Sequence, residues 1–415
     1  MTSFATELPT LQARERWLSA IATVVVAFTR LIAVARGPWD WDEMLFLLAL
    51  RDYDVALHHP HPPGFPLFIA AATVLEALGV EPFRALQCVN LVAAIFIVPA
   101  VLLLCRELRL SFETSLSAAL IFAFLPNVWF FGGTAFSDVS AIVLGVAACG
   151  FLLRGARSSP ALITGAALLA VSAAFRPQSL LIGLVPAVIG TMSALRQRRT
   201  AAAAAAFLAG ALILSASFGA AIAMTGWDRY RGAVLAHQEY LAVTDSFASA
   251  IRPSLLQVSD DFFVRPFRFS PMNVVLSLLA AFSLIAAIVR RRVPVLIALA
   301  IFGPFWILAW LTLDFHSASR FSIGYMPLLA ILVADAVWSI VASRRLAGAV
   351  ATLLIAAILF GWTLPALLRA RREYSPPLRA LRYLAEDLPG ETAIYVQKRM
   401  RPFAEYYLAD ANVIH

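Results

Sequence analysis

Long apolar runs separated by short, arginine-rich polar segments make up most of this 415-residue chain. A helix needs about 20 apolar residues to span a bilayer. Eleven runs reach or approach that length, at approximately 17–35, 86–105, 115–131, 138–153, 159–175, 178–195, 201–224, 273–289, 294–313, 321–342 and 346–367. The pattern predicts an all-α polytopic membrane protein with about eleven transmembrane helices.

The first run admits two interpretations. It follows two arginines and ends in Ala33-Val34-Ala35, which resembles a signal-peptide cleavage site. The run is longer than the apolar part of a signal peptide, which has about 7 to 15 residues. We therefore expect a retained first span.

A shorter run, 65–79, carries Glu76 and is expected to lie along the membrane interface without crossing. Arginine enrichment in cytoplasmic loops supports this choice. If 65–79 does not cross, every arginine cluster between spans falls on one side: Arg14/Arg16, Arg106/Arg109, Arg154/Arg157, Arg196/Arg198/Arg199, Arg290 to Arg292 and Arg344/Arg345. If it crossed, the early clusters would lie opposite the later ones.

The outer side then collects the polar loops: 36–64, 132–137, a long loop at 225–272, 314–320 and the tail. We divide the chain into a transmembrane domain, 1–367, and a short extracytoplasmic α/β tail, 368–415. The tail is expected to have a helix at 378–387, a strand at 392–397 and a further helix. So short a segment buries little core alone, so we expect it to pack on the membrane domain. In the long loop, 228–241 has the pattern of an amphipathic helix that could form a lid.

The amino-acid composition is that of a membrane protein. Hydrophobic residues make up 61% of the chain and charged residues 14%, against about 45 to 50% apolar in soluble domains. A net charge of +8 would suggest nucleic acid in a soluble protein, but these arginines mark topology, and no nucleic-acid partner is expected. Cys88, Cys105 and Cys149 lie inside apolar runs, so neither a disulfide framework nor a thiolate metal site is predicted.

The polar stretch WDWDEMLFLLALRDYDVALHHPHPPGFPLF, 39–68, is unusual in so apolar a chain. Asp40 and Glu43 have the D-x-x-E spacing of a helix capping box. Asp42 has no capping need and projects at the membrane surface, where we expect reduced solvation to raise its pKa. A carboxylate of that kind can accept a proton, so Asp42 is the first candidate for a general base.

The histidines of this stretch, His58, His59 and His61, suggest a zinc site as an alternative. The interleaved prolines hold the segment extended, whereas zinc needs three or four converging ligands. We expect no cofactor, and a divalent metal stays the minor alternative.

Taken together, the order of motifs resembles a known family. Asp42-Glu43 after the first span, His61-Pro62-Pro63-Gly64-Phe65-Pro66 and an interfacial helix resemble the GT-C membrane glycosyltransferases, above all the protein O-mannosyltransferase and lipid A aminoarabinose transferase groups. Phe136-Ser137-Asp138-Val139 is similar to the family's second acidic site. The segment 316–321 with Pro327 is similar, more weakly, to its arginine before a late proline-containing span. The resemblance covers most of the first 340 residues, while the soluble C-terminal domain of many relatives is cut short.

This resemblance implies an enzyme of the cytoplasmic (inner) membrane, active on the extracytoplasmic face. It would move a hexose or pentose from a polyprenyl-phosphate carrier to a hydroxyl of a protein, glycan or lipid acceptor. The candidate catalytic residues are Asp42, Asp138 and Glu43. The candidate substrate-binding residues are Arg320, Arg176, His61, His59, Arg265, Arg268 and His316.

Arginine suits the carrier phosphate because its planar fork binds phosphate oxygens in bidentate fashion. Two of the candidates have structural alternatives. Asp138 is also placed to be the N-cap of the fourth span. Arg176 is also placed to be a cation that satisfies carbonyls at a helix end.

A flippase for lipid-linked sugars or a secondary transporter is the alternative function. Transporters place ionisable groups near the bilayer midplane. The clearest acid within a predicted span is Asp335, and it lies nearer the cytoplasmic end, which favours the transferase.

The predicted topology can be tested with reporter fusions. Fusions after Arg109, Arg199 and Arg292 should report the cytoplasm, and fusions within 225–272 should report the outer side, because the arginine clusters orient the spans. An outer location at Arg109 would mean that 65–79 crosses the membrane and that Asp138 lies far from Asp42.

Overall fold

The structure, a computed structural model, describes residues 10–267, 269–341, 344–387, 394–408 and 413–414. These residues form α1 Ala13–Leu31, α2 Trp41–Arg51, α3 Pro66–Ala77, α4 Pro82–Ile95, α5 Ile97–Glu107, α6 Phe112–Phe124, α7 Pro126–Gly132, α8 Asp138–Arg154, α9 Ser159–Phe175 and α10 Leu180–Arg196. They continue with α11 Thr200–Thr225, α12 Trp227–Thr244, α13 Leu255–Ser259, α14 Ser270–Val289, α15 Val293–Thr312, α16 Ala318–Phe321, α17 Met326–Val341, α18 Arg345–Arg372, α19 Pro376–Asp387 and α20 Arg401–Tyr407. Two short strands, β1 Ile394–Tyr395 and β2 Val413–Ile414, pair in parallel.

Within the described ranges, five helical segments are long and apolar enough to cross a membrane, and eight if each bent helix pair is one span. The five are Pro177–Arg196, Thr200–Thr225, Pro271–Val289, Val293–Thr312 and Arg345–Leu384. A polytopic helical membrane protein is therefore confirmed, while the count of about eleven is not. Part of the difference is length, because α8 and α9 have 17 residues each.

Three of the predicted spans are broken helices. The pair α4 and α5 bends by 41°, α6 and α7 by 64°, and the short helices of Phe315–Gly324 meet α17 at 66°. Pro126 explains the second break, because proline has no N–H to donate and forces the preceding Leu125 out of the helical region. The second and third breaks place Gly132–Asp138 and Arg320 on the same side of the bundle.

The α6–α7 break has a buried cation beside it. Arg30 of α1 is 0% exposed and donates to the carbonyl of Ala123 in the last turn of α6. Its guanidinium also lies 5.4 Å from the ring centroid of Trp129. A cation at this position offsets the negative end of the α6 dipole where the helix stops.

The segments outside the long helices include those that the sequence singled out. The run at 65–79 forms α3, the long loop at 225–272 contains α12, and the tail contains α19, β1 and α20. Hydrophobic side chains of the tail, such as Phe403, share one buried cluster with Phe46 of α2 and Phe68 of α3. The carbonyl of Pro38 accepts a hydrogen bond from Ser375 at 2.6 Å, which ties the end of α18 to the start of the polar stretch.

Acids inside the bundle are paired with arginines. Glu107 accepts from Arg154 and from Arg157, each at 2.8 Å. Asp335 binds Arg292 through both of its oxygens, at 2.5 and 2.7 Å, and also accepts from Ser283. Such pairs connect neighbouring helices and leave these acids engaged in structural contacts.

Candidate active site

Five segments of the chain converge at the polar end of the bundle. They are the first turn of α2, the proline-rich loop before α3, the first turn of α8, the end of α9 and the short helix α16. Each brings an ionisable side chain to one cluster: Asp42, His61, Asp138, Arg176 and Arg320. The sequence prediction named all five as site candidates.

Arg320 is the centre of this cluster. Its Nη2 lies 2.6 Å from Asp42 Oδ2, its Nη1 lies 4.0 Å from Asp40 Oδ1, and its Nε lies 3.9 Å from Asp138 Oδ2. The guanidinium also packs on the rings of Phe136 and Phe321, at 4.8 and 4.7 Å. One buried cation thus faces three carboxylates, and these charges raise its pKa although burial alone would lower it.

Arg176 supplies the second cation. It follows α9 directly and donates to Asp138 at 3.1 Å, and both side chains are almost fully buried. Asp138 is the first residue of α8, where the helix dipole favours a carboxylate. The residue in the N-cap position is Ser137, so the capping alternative for Asp138 is wrong, and its carboxylate is free to bind both arginines.

Asp42 is the more accessible end of the cluster, since its side chain is 21% exposed against 4% for Asp138. Burial would raise the pKa of the Asp42 carboxyl, but the charge and hydrogen bond of Arg320, together with smaller contributions from His61 and Arg176, hold that pKa below its ordinary value. The expectation of a raised pKa was therefore wrong. The lowered pKa of Asp42 is due chiefly to the guanidinium of Arg320, 2.6 Å away, which belongs to a distant part of the chain.

His61 lies on the other side of Asp42, with its Nδ1 3.9 Å from Asp42 Oδ1. Its ring packs against Phe65 at 4.6 Å and Phe46 at 5.7 Å. Burial lowers the pKa of His61 to about 4, although the charge of Asp42 acts in the opposite direction. His61 is therefore a neutral imidazole at physiological pH.

Glu43 and Asp40 form the capping box that their spacing predicted. Asp40 accepts from the backbone N–H of Asp42, and Glu43 Oε2 accepts from Trp39 and Asp40 at 2.6 and 3.1 Å. Glu43 Oε1 accepts from the backbone N–H of Ala135 at 2.9 Å. Because Glu43 is 0% exposed and both oxygens are engaged, we withdraw it as a catalytic candidate. It ties α2 to the loop before Asp138.

Two polar residues of α4 hold the same loop and were missed in the sequence analysis. Gln87 donates to the carbonyls of Ala35 and Gly133, at 3.0 and 2.7 Å. Asn90 donates to Thr134 at 3.2 Å and accepts from the backbone of Ser140 at 3.0 Å. The sequence does mark these two residues, because polar side chains inside an apolar run are costly in a membrane and need a hydrogen-bond partner.

The helix α12 covers the proline-rich loop before α3, which carries His61. Arg229 pairs with Asp54, Tyr230 donates to the carbonyl of Pro63 at 3.0 Å, and the ring of His237 lies 6.3 Å from that of His61. None of its side chains is buried, so α12 is held by these few contacts. The sequence indicated the helix but neither Asp54 nor His237.

The contacts described for the remaining candidates are with residues outside the cluster. His59 lies 3.5 Å from Glu405 of the tail, and Arg265 pairs with Asp260. His316 packs its ring against Phe315. Arg268 lies outside the described residues.

No group of three or more His, Cys, Asp or Glu side chains that could hold a metal ion occurs in the described parts of the chain. In the cluster itself, Arg320 faces both Asp42 and Asp138. A divalent cation bound to these two carboxylates would have to displace the guanidinium.

An apolar groove of about 300 Å³ lies between α7, α16 and α18. Ser319, the residue before Arg320, lines it together with Asn127, Phe131 and Trp362. Asn127 donates to the carbonyl of Ser319 at 2.9 Å, which joins α7 to α16 at this groove.

Comparison with solved structures finds helical membrane enzymes. ArnT from Cupriavidus metallidurans has a TM-score of 0.58 at 14% identity, over 96% of this chain and 86% of that one. The Archaeoglobus fulgidus oligosaccharyltransferase has a TM-score of 0.54 at 15% identity, over 95% of this chain and 59% of that one. Arabinosyltransferase EmbB from Mycobacterium smegmatis has a TM-score of 0.53 at 14% identity, over 80% of this chain and 31% of that one.

All three are GT-C glycosyltransferases, so the fold that the resemblance predicted is confirmed. At these identities the likeness concerns the fold alone, and the chain spans 59% of the length of the archaeal enzyme. Neither a family model nor a curated protein matches the sequence.

Proposed function

We propose that this chain, which has the fold of the GT-C glycosyltransferases, moves a sugar from a polyprenyl-phosphate carrier to a hydroxyl acceptor outside the cytoplasmic membrane. The observation that supports the proposal is the Asp42–Arg320–Asp138–Arg176 cluster, which lies beside the α6–α7 and α16–α17 helix breaks. Among the structural neighbours, ArnT has been solved with undecaprenyl phosphate and the archaeal oligosaccharyltransferase with dolichol phosphate.

The leaving group in such a transfer is a lipid phosphate, which needs positive charge to stabilise it. Arg320 and Arg176 are the cations of the cluster, but they face three carboxylates, namely Asp40, Asp42 and Asp138. The cluster therefore has no surplus positive charge for an anion. A phosphate is bound when it takes the fork of Arg320 in competition with Asp42.

This competition connects donor binding to the base. While Asp42 is paired with Arg320, the pKa of its carboxyl lies below the ordinary value and it is a weak proton acceptor. A phosphate on Arg320 weakens that pair, so the pKa of Asp42 rises when the donor is in place. Asp42 then takes the proton of the acceptor hydroxyl as that oxygen attacks the anomeric carbon.

The apolar groove beside Ser319 suits the lipid part of the donor. Its aromatic walls, including Phe131 and Trp362, bury isoprene units favourably. Ser319 lines this groove and Arg320 follows it in the chain, and we propose that a lipid lying here carries its phosphate towards the guanidinium. We place the first isoprene units here.

The transporter alternative has less support. The acids inside the bundle, Glu107 and Asp335, are paired with arginines from neighbouring helices. Ions carried through a transporter need groups that can exchange partners near the midplane. A proteoliposome assay that measures both consumption of lipid-linked sugar and uptake of free solute distinguishes the two functions.

Asp42→Asn is the central variant for that assay. It keeps size and hydrogen bonding but cannot accept a proton, so turnover of lipid-linked sugar should fall by about 100-fold or more although donor binding is not weakened. Asp40→Asn is the matched control and should be nearly silent, because Asn caps a helix about as well as Asp. Near-normal turnover in Asp42→Asn, with loss of activity in a chelator, would replace the carboxylate base with a metal-centred site.

Arg320→Lys tests the phosphate contact. Lysine keeps the charge but lacks the planar fork, so affinity for undecaprenyl phosphate should fall by about tenfold or more, the scale of one charge-assisted hydrogen bond. The free energy of unfolding should change by less than the free energy of binding. Arg379→Lys, an exposed arginine of α19, serves as the control. Unchanged affinity in Arg320→Lys would remove this residue from the donor site.

A further inference from the structure

We infer that His61 and His237 form a relay that carries the acceptor's proton from Asp42 to solvent. The inference rests on the proposed transferase function and assigns a further step to the same site. It starts from a difference between the two oxygens of Asp42. Oδ2 is held by Arg320 at 2.6 Å, whereas Oδ1 faces His61 Nδ1 at 3.9 Å. Oδ1 is thus the oxygen that can take a proton and pass it on.

The ring of His61 is placed for this step. Phe46 and Phe65 fix its position, and its Nδ1 is buried without a hydrogen-bond partner among the described residues. A buried nitrogen without a partner is rare and points to a functional contact. A shift of less than one ångström brings Nδ1 within hydrogen-bond distance of Asp42 Oδ1.

His237 continues the path outward. Its ring centroid is 6.3 Å from that of His61, a separation that one water molecule can bridge. The side chain is half-buried on α12, so part of it is exposed. The contacts of Arg229 with Asp54 and of Tyr230 with Pro63 keep α12 over the loop that carries His61.

The relay balances chemically. The O–H bond of the acceptor breaks, and its oxygen forms the new bond to the anomeric carbon as the bond to the phosphate oxygen breaks. The proton goes to Asp42 Oδ1 and then to Nδ1 of His61. Nε2 of the resulting imidazolium releases a proton through water to His237 and the solvent. Asp42 is then a carboxylate again, whereas His61 is left with its proton on Nδ1. The ring returns to its starting Nε2–H tautomer by losing the Nδ1 proton to water and gaining one at Nε2 before the next turnover.

The charges around both rings favour transfer away from the site. His61 faces Asp42 of α2, Arg320 of α16, Arg176 after α9 and His237 of α12. Burial and the two arginines lower the pKa of His61, so its imidazole starts neutral and does not retain a proton. His237 faces His58 and Asp42, and burial lowers its pKa from the ordinary value.

The first test is kinetic and uses proteoliposomes with lipid-linked sugar. His61→Asn keeps a polar contact to Asp42 but cannot relay a proton, so kcat should fall by about tenfold to 100-fold with little change in the KM for donor. Added imidazole should restore the rate, which a purely structural role would not show. His237→Gln should make the rate depend on buffer concentration, and Glu239→Gln, an exposed change on the same helix, should not. Wild-type rates in both histidine variants would overturn the relay.

The second test needs no turnover. In the detergent-solubilised protein with ¹⁵N-labelled histidine, His61 should titrate near pH 4. In Asp42→Asn its titration should move to still lower pH, because the carboxylate that favours the imidazolium is gone. An unchanged His61 titration in that variant would show that Asp42 and His61 are not coupled, and would overturn the relay. If the coupling is present but no sugar donor is consumed, the transferase proposal fails instead.

Discussion

The position of Arg320 between three carboxylates is the constraint on which the site depends. A buried guanidinium is costly unless an acceptor lies beside it. The carboxylates around Arg320 need a neighbouring cation for the same reason. Asp42 opens α2, and Asp138 opens α8. The pairing therefore joins two helix starts to α16, and Arg176 joins the end of α9 to the same set. Removing the guanidinium would leave the carboxylates of Asp40, Asp42 and Asp138 with one cation, Arg176.

The rest of the fold holds these elements in place. Pro126 breaks α6 from α7 and directs the chain towards the loop at 133–137. Glu43, Gln87 and Asn90 bind the backbone of that loop and of its neighbours. The tail packs on α2 through the buried cluster that includes Phe46 and Phe403. The ionic cluster is thus supported by hydrogen bonds to backbone and by apolar packing, which gives its side chains little freedom to relax.

Much of this arrangement followed from the sequence. Asp42 stood out because a polar side chain beside an apolar run has few structural uses in a membrane. Asp138 and Arg320 stood out through the resemblance to the GT-C glycosyltransferases, and Arg176 as a further arginine able to bind phosphate. Residues whose partners lie far along the chain were harder to assign. His59 faces Glu405 of the tail, and the pKa of Asp42 is lowered by Arg320, and neither fact is encoded in local spacing. The pattern of apolar runs also could not give the number of spans, because helix breaks and shorter apolar helices depend on packing.

The central claim is that Asp42 and the carrier phosphate compete for Arg320. The most direct measurement is the affinity of the solubilised protein for undecaprenyl phosphate with and without the charge of Asp42. If the two compete, Asp42→Asn should bind undecaprenyl phosphate about tenfold more tightly, equivalent to ~1.4 kcal/mol, and Asp40→Asn should show a smaller change. Unchanged or weaker binding in Asp42→Asn would contradict the account.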